Sequence, residues 1–323
     1  WTYLTTLCMR DTYVTEPGVD QVMCDAHQHG VRIAYWGHGP YPFTNDINVS
    51  MAWIKSTFQN VTDQYYDGYV FDYEGAMLWN SPQSAQYVEL VNLTTQYFHE
   101  NLPGSTISVC VPFSAYLEWG RQYDYYHLAQ AADFLYIMDY DVQTEIFDGQ
   151  CMARANSPYY TTVRGIQSYL NLQIDPNKLI LGIPWYGKQF ECLSNEMDGG
   201  ITSKFCPIQP AATKDGVNCS DRLSPEISYA GIMYNVFINK WNVSEIRWDS
   251  TQKSPSVNMV RHNKTYQYWF DNAQSLALKY AYAKSKNLRG VGPFQFGDVV
   301  YDNNADEKSR AQEMWSAFDA FFV

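Results

Sequence analysis

The sequence lacks any apolar run long enough to cross a membrane as a helix. It is also poor in positive charge: 22 Lys and Arg stand against 34 Asp and Glu, a formal charge of −12. The basic residues come as scattered pairs. Phosphate binding needs clusters of them, so nucleic acid is not an expected partner. The six His show no spacing with an acid and a Ser that would suggest a hydrolase triad. No ligand spacing suggests a metal, and no cofactor is expected. There is no internal repeat and no low-complexity tract. An initiating Met and a signal-peptide-like segment are missing too, so a leader, and with it a first strand, is expected upstream of Trp1.

What is present can build a large core. The chain has 323 residues, 46% hydrophobic and 17% charged, a length that fits one barrel with an insertion. Aromatics make up 16%, with 27 Tyr and 10 Trp. Flat rings stack on the apolar faces of pyranoses, but rings also fill cores, and composition alone leaves both readings open. Six glycosylation sequons begin at Asn48, Asn60, Asn92, Asn218, Asn242 and Asn263, and there are seven cysteines. Together they point to the secretory pathway, with a lysosomal or secreted destination. The odd cysteine count leaves at least one thiol free. Cys110, inside an apolar strand-like run, is the best candidate, and it reads as packing rather than as a nucleophile. Cys192, Cys206 and Cys219 crowd one loop-rich stretch and are expected to supply bridges, with the pairing open.

Short β-rich runs alternate with longer helical ones, the pattern of a parallel sheet. Strands are expected over 2–8, 31–36, 68–74, 106–113, 134–141, 178–186 and 290–296, and helices over 50–58, 84–101, 159–172, 272–286 and 306–321. Asp271-Asn272 offers an N-cap to the fourth of these helices. A closed parallel barrel needs an eighth strand, which the missing upstream segment would provide. Residues 187–270 break the alternation with three cysteines, three sequons and a turn-rich run. They read as an insertion between the seventh and eighth strands that walls a cleft, not as a separate domain. The expected fold is therefore α/β, a (β/α)8 TIM-type barrel formed by 1–323 as one catalytic domain.

The segment Tyr66-Asp67-Gly68-Tyr69-Val70-Phe71-Asp72-Tyr73-Glu74 concentrates the chemistry. Read as a strand, it puts Val70, Asp72 and Glu74 on one face and Tyr69, Phe71 and Tyr73 on the other. Two carboxyls this close at the carboxyl end of a barrel strand repel, which raises the pKa of one of them, as a general acid requires. The structural alternative is two acids that cap loops or pair with an Arg.

This run resembles the D-G-x-D-x-D-x-E signature of glycoside hydrolase family 18, the chitinase family, with Asp67, Gly68, Asp72 and Glu74 matching. Three more segments resemble that family in the same order: Tyr136-Ile137-Met138-Asp139-Tyr140-Asp141, Gly182-Ile183-Pro184-Trp185-Tyr186-Gly187 and Leu288-Arg289-Gly290-Val291-Gly292. The likeness covers nearly the whole chain. Met23–His27, Ala155–Tyr159, the cysteine loop, Trp248-Asp249 and Trp269–Asn272 resemble its chitobiase-type members.

The resemblance implies a glycosidase that cuts β-1,4-linked N-acetylglucosamine oligosaccharides, such as the chitobiose core of N-glycans, with retention and by substrate assistance. It implies Glu74 as acid/base, Asp72 as the carboxylate that holds the acetamido N–H, and Tyr140 as donor to the acetamido oxygen. Asp141, Met138, Trp185, Tyr186 and Phe294 would line the substrate site, with Asp67 and Gly68 as structural support; Trp185 reads equally as core packing with one face towards the cleft. The partner would be the oligosaccharide alone, and the protein a monomer. Two positions depart from the family pattern. Val70 stands where the family usually has Asp, and Phe294 where it usually has the Trp that floors the cleft. An endochitinase acting on polymeric chitin and a catalytically silent chitin-binding lectin are the competing readings. Retention of Glu74 speaks against silence.

Overall fold

The computed structural model describes residues 1–10, 18–116, 118–146, 150–193, 200–213, 217–239, 242–301 and 304–323. The chain forms two compact units, Trp1–Ile137 with Ser168–Ile180, and Met138–Gln167 with Leu181–Val323.

The first unit alternates strand and helix: β1 (Thr6–Arg10), α1 (Val19–Gln28), β2 (Arg32–Gly37), α2 (Ile47–Asp63), β3 (Gly68–Phe71), α3 (Pro82–Asn101), β4 (Thr106–Pro112), α4 (Tyr125–Ala131) and β5 (Phe134–Met138, whose last residue opens the second unit). Strand order follows chain order from β1 to β5, and β1·β2, β2·β3 and β3·β4 are parallel. The period of α3 explains its place. Tyr87, Leu90, Val91, Thr94 and Phe98 recur every three or four residues, and all are buried. Ser81 caps it by accepting from Ser84 N, with Pro82 in its first turn.

One device fixes register twice. Asp67, just before β3, accepts the Ile33 backbone N–H at 2.7 Å and contacts His27 Nε2 at 2.9 Å. Asp133, just before β5, accepts the Ile107 N–H at 2.7 Å and contacts His99 Nε2 at 3.1 Å. Each carboxylate ties a strand to its neighbour and to a helix end. Gly68 permits the close approach of β4, since a Cβ there would lie 2.0 Å from the Thr106 carbonyl oxygen.

The second unit continues the alternation with α5 (Tyr159–Asn171) and β6 (Leu179–Pro184), both of which begin or end in the first unit. It then turns antiparallel with β7 (Tyr186–Glu191), β8 (Glu226–Ser228), α6 (Tyr229–Phe237), β9 (Asn242–Val243), β10 (Arg247–Asp249), β11 (Ser254–Arg261) and β12 (Lys264–Trp269). These strands form a second sheet in the order β10-β11-β12-β7-β8, with β9 beside β11. Parallel character returns at α7 (Ala273–Ser285) and β13 (Gly290–Phe294), followed by α8 (Ala305–Ser316) and α9 (Asp319–Phe322). Asn272 caps α7 in a reciprocal box with Ser275.

Cys151–Cys219 and Cys192–Cys206 are bonded and pack with Phe190, Ile208 and Trp269 in a buried cluster. Cys8, Cys24 and Cys110 are free. A charged network lies deep in this unit. Lys279, 0% exposed, donates to Asp271 at 2.7 Å and to Ser157 Oγ at 2.9 Å. Ser157 Oγ and Thr162 Oγ1 donate in turn to Asp139, whose carboxyl burial pushes up to about 6.

All seven expected strands are present, with shifted ends: the first spans Thr6–Arg10, and the fifth stops at Met138, so Tyr140 and Asp141 stand past it. The 68–74 run stops being strand at Phe71, so Asp72 and Glu74 stand past its end rather than on its pleat. The 178–186 run breaks at Trp185, whose N–H donates to Phe294 O while Tyr186 turns into the antiparallel sheet. Three helices, α1, α4 and α6, were not expected. They are short, and their packing rather than a long period defines them.

Candidate active site

In the first unit, Asp72 and Glu74 leave β3 in different environments. The Asp72 N–H still donates to Gly37 O, which keeps its backbone against β2. Its side chain is buried, and burial pushes the carboxyl up to about 6. Glu74 beside it pushes in the same direction, while Trp36, His38 and Arg121 pull it down. Val70 is buried too and supplies no carboxyl below Asp72. The Cys110 thiol hydrogen-bonds to Asp72 instead, and burial holds that thiol well above its ordinary range.

Glu74 is 44% exposed and ion-paired to Arg121 at 2.6 Å, a guanidinium only 9% exposed. The pairing with an Arg that stood as the structural alternative is thus realised, on a carboxylate that still faces solvent. Arg121 is held from two sides. The ring of Trp119 lies 4.4 Å from its guanidinium carbon, and Met77 pairs with Arg121 in a parallel bridge, with Met77 N donating to Gly120 O and Gln122 N to Met77 O. The segment after Glu74 is fixed by Tyr123, whose hydroxyl donates to Tyr73 O and Gly75 O at 2.8 Å. Tyr73 also stacks on Tyr41. Arg121, Trp119 and Tyr123 were invisible in the sequence, because no local spacing links them to residue 74.

The shift at Asp72 makes a checkable statement. Its folded value lies above the usual carboxylate range, so the neutral form is the one the fold favours. Its contribution to stability is complete at low pH and is lost as pH rises through about 6. Thermal melts across that window should lose stability with rising pH, and Asp72→Asn should flatten that slope. In Arg121→Gln, which removes a group holding the carboxyl down, the window should move to higher pH. A slope indifferent to both substitutions would remove Asp72 as its source.

The second unit gathers Tyr140, Asp141, Tyr186 and Phe294. Tyr140 stacks on Phe294, with centroids 5.1 Å apart and planes 16° from parallel, and Tyr186 meets Phe294 edge-on at 6.1 Å. Phe294 therefore offers one ring face at most, the other being covered by Tyr140. The Tyr186 hydroxyl donates to Asp141 Oδ1 at 2.8 Å, and Asp141 N donates to Asn156 Oδ1 at 2.9 Å. Lys188, unforeseen in the sequence, reaches the same Asp141 oxygen at 2.9 Å.

Three of the residues expected to line the substrate site are buried. Trp185 is 1% exposed, packed edge-to-face on Trp315 at 5.0 Å and against Phe318. Met138 and Tyr186 are likewise buried, the latter with its hydroxyl on Asp141. Among the described residues, no group of three or more His, Cys, Asp or Glu could hold a metal ion.

Comparison with known proteins gives this chemistry its family. The model for glycosyl hydrolases family 18 matches residues 41–298. Di-N-acetylchitobiase of Mus musculus is 33% identical over 318 residues, 98% of this chain and 83% of that protein. The human di-N-acetylchitobiase is 32% identical, over 98% of this chain and 78% of that protein. A probable di-N-acetylchitobiase of Dictyostelium discoideum is 32% identical over all of this chain and 82% of its own length. Among solved structures, a plant class V chitinase mutant from Cycas revoluta, in complex with (GlcNAc)3, has a TM-score of 0.71 at 20% identity, covering 98% of this chain and 99% of that one. A C-terminal domain of a putative chitinase from Desulfitobacterium hafniense has the same TM-score at 15% identity, covering 99% and 91%. Those two likenesses show the fold, the (β/α)8 TIM type, while the family match and the sequence identities go further: this chain belongs to glycosyl hydrolases family 18 and is a glycoside hydrolase.

Proposed function

We propose that the protein hydrolyses β-1,4-linked N-acetylglucosamine oligosaccharides, of the size of the chitobiose core of N-glycans and small chito-oligosaccharides, with retention and by substrate assistance. The observation that supports this most is the placement of the two carboxyls past the end of β3: Glu74 is open to solvent, where a glycosidic oxygen can reach it, and Asp72 is buried beside it. The relatives named di-N-acetylchitobiase support the small-substrate side of the reading.

In this mechanism Glu74 protonates the glycosidic oxygen. The acetamido oxygen of the substrate closes on the anomeric carbon as the leaving group departs. Asp72 accepts the acetamido N–H and balances the positive charge that forms. Tyr140 donates to the acetamido oxygen, with Asp141 next to it. Water deprotonated by Glu74 then opens the ring and restores the starting configuration. Because the nucleophile comes from the substrate, the separation of the two carboxyls does not set the stereochemistry. Six sequons and two disulfides support a lysosomal or secreted location for this activity.

The test is a panel of chitobiose, reduced chitotriose and polymeric chitin, read by chromatography of products. Both small substrates should be cleaved, and the polymer far more slowly. Intact small substrates with a degraded polymer would replace this reading with an endochitinase. Three intact substrates, with retention of the protein on chitin beads, would replace it with a lectin.

A further inference from the structure

Asp141 has an unusual backbone, with φ at 55°, in the left-handed region. For a residue with a side chain this conformation is strained and persists where the surroundings over-determine it. Three groups do so here. Asn156 takes its N–H, and Tyr186 and Lys188 both donate to Oδ1. Of these, Lys188 is the only cation, and it is 8% exposed. It leaves β7 at the position paired with Glu226 across the β7·β8 ladder.

Lys188 is not a private partner of Asp141. Its ammonium lies 3.2 Å from Glu226 Oε1 and 3.8 Å from Asp221 Oδ2, and 5.7 Å from the centre of the Tyr186 ring. One cation thus faces three carboxylates. Glu226 is half exposed, and water can serve it. Asp221 is buried: its N–H donates to Gln143 O, and it stands two residues from Cys219, which Cys151 anchors. Its Oδ2 is enclosed with no hydrogen-bond donor within reach among the described residues, so Lys188 is the nearest source of compensation.

We propose that Lys188 is a positioning residue for the hydrolysis: its ammonium locks Asp141 beside Tyr140 and Tyr186, and the buried Asp221 competes with Asp141 for it. The inference rests on the reading of Asp141 and Tyr140 as substrate-holding groups.

The competition has a direction. Burial pushes the Asp221 carboxyl up to about 6, Asp141 and Glu226 push it the same way, and Lys188 opposes them. Lys188 itself stays protonated, held up by Asp141 and Asp221 against the cost of burial. Below pH 6, Asp221 is neutral and the ammonium belongs to Asp141 and Glu226. Above it, an anionic Asp221 draws the ammonium away and loosens Asp141. Hydrolysis should then be favoured on the acid side by a device separate from the Asp72–Glu74 pair.

The experiment compares kcat and KM of wild type, Lys188→Met, Lys188→Arg and Asp221→Asn on chitobiose across pH. Lys188→Met should lose about 10–100-fold in kcat/KM, the range expected when a reacting group is misplaced. Lys188→Arg keeps the charge and should recover most of it, which a purely packing role would not allow. Asp221→Asn keeps the fold and mimics the protonated state. Its kcat/KM should equal wild type well below pH 6 and exceed it several-fold well above. A ratio of Asp221→Asn to wild type that does not change with pH, or a Lys188→Met enzyme with wild-type kcat/KM, overturns the inference and leaves the proposed function standing. A wild-type protein inert on chitobiose overturns both.

Discussion

Glu74→Gln is expected to lower kcat by about 10²–10⁴-fold, the usual worth of a positioned general acid and base. Gln keeps the shape of the side chain and can still accept from Arg121, but it cannot give up a proton. Oligosaccharide binding should survive, since the groups proposed to hold the acetamide are untouched. The substitution has a second effect on the same site. Glu74 is one of the groups pushing the Asp72 carboxyl up, so its loss lets that value fall below about 6, and residual activity should shift to lower pH. It also removes a charge from a 2.6 Å pair whose cation is nearly buried. A melting temperature belongs beside the rates, to separate lost chemistry from lost folding. Glu74→Gln with full turnover would end the assignment of this residue. Lost turnover together with lost binding would show Glu74 as a structural partner of Arg121 instead.

Lys279→Met is expected to be the most damaging single change to stability. Lys279 and Asp271 are both essentially unexposed and 2.7 Å apart. Removing one member of such a pair strands the other as a buried charge, at a cost of about 3–5 kcal/mol. The stranded charge sits in a wider network, since Lys279 also donates to Ser157 and, through it, serves Asp139. Lys279 holds the Asp139 carboxyl down against burial, so without it that carboxyl rises above about 6. Neutral Asp139 tolerates the loss and ionised Asp139 does not. The melting temperature should therefore fall by on the order of 10 °C near neutral pH, and by less in acid. The double change Lys279→Met with Asp271→Leu should be milder than Lys279→Met alone, because it removes both charges together. Equal damage from the single and double changes would mean that packing, not charge, is what Lys279 supplies.

The network also explains which parts of the sequence spoke and which stayed silent. Ala155–Tyr159 looked like a family feature with no assigned task. In the structure Asn156 holds the Asp141 N–H and Ser157 joins Lys279 to Asp139. His27 likewise proves to be a tether for Asp67. Trp185 had two readings, and the structure shows its packing. Its motif placed it in the sugar site, yet the ring turns into a core made by Trp315 and Phe318, far along the chain. A motif states which residues a strand end holds, but not which way each side chain leaves it. The pleat argument for residues 68–74 failed at its last step for a related reason, since the strand ends at Phe71 and alternation has no force beyond it.

Local pattern by itself determined the parallel β/α order, the break in it after Trp185, the N-cap of α7 and the two acids at the end of β3. Each of these depends on residues a few positions apart, and the periods of strand and helix make that spacing legible. The partners of those acids were decided only by tertiary structure. Arg121 comes to Glu74, and Lys188 to Asp141, Asp221 and Glu226, across separations that no period spans. The same holds for the charge of Asp72, because burial, which the surrounding chain supplies, shifts a carboxyl further than any neighbour two residues away.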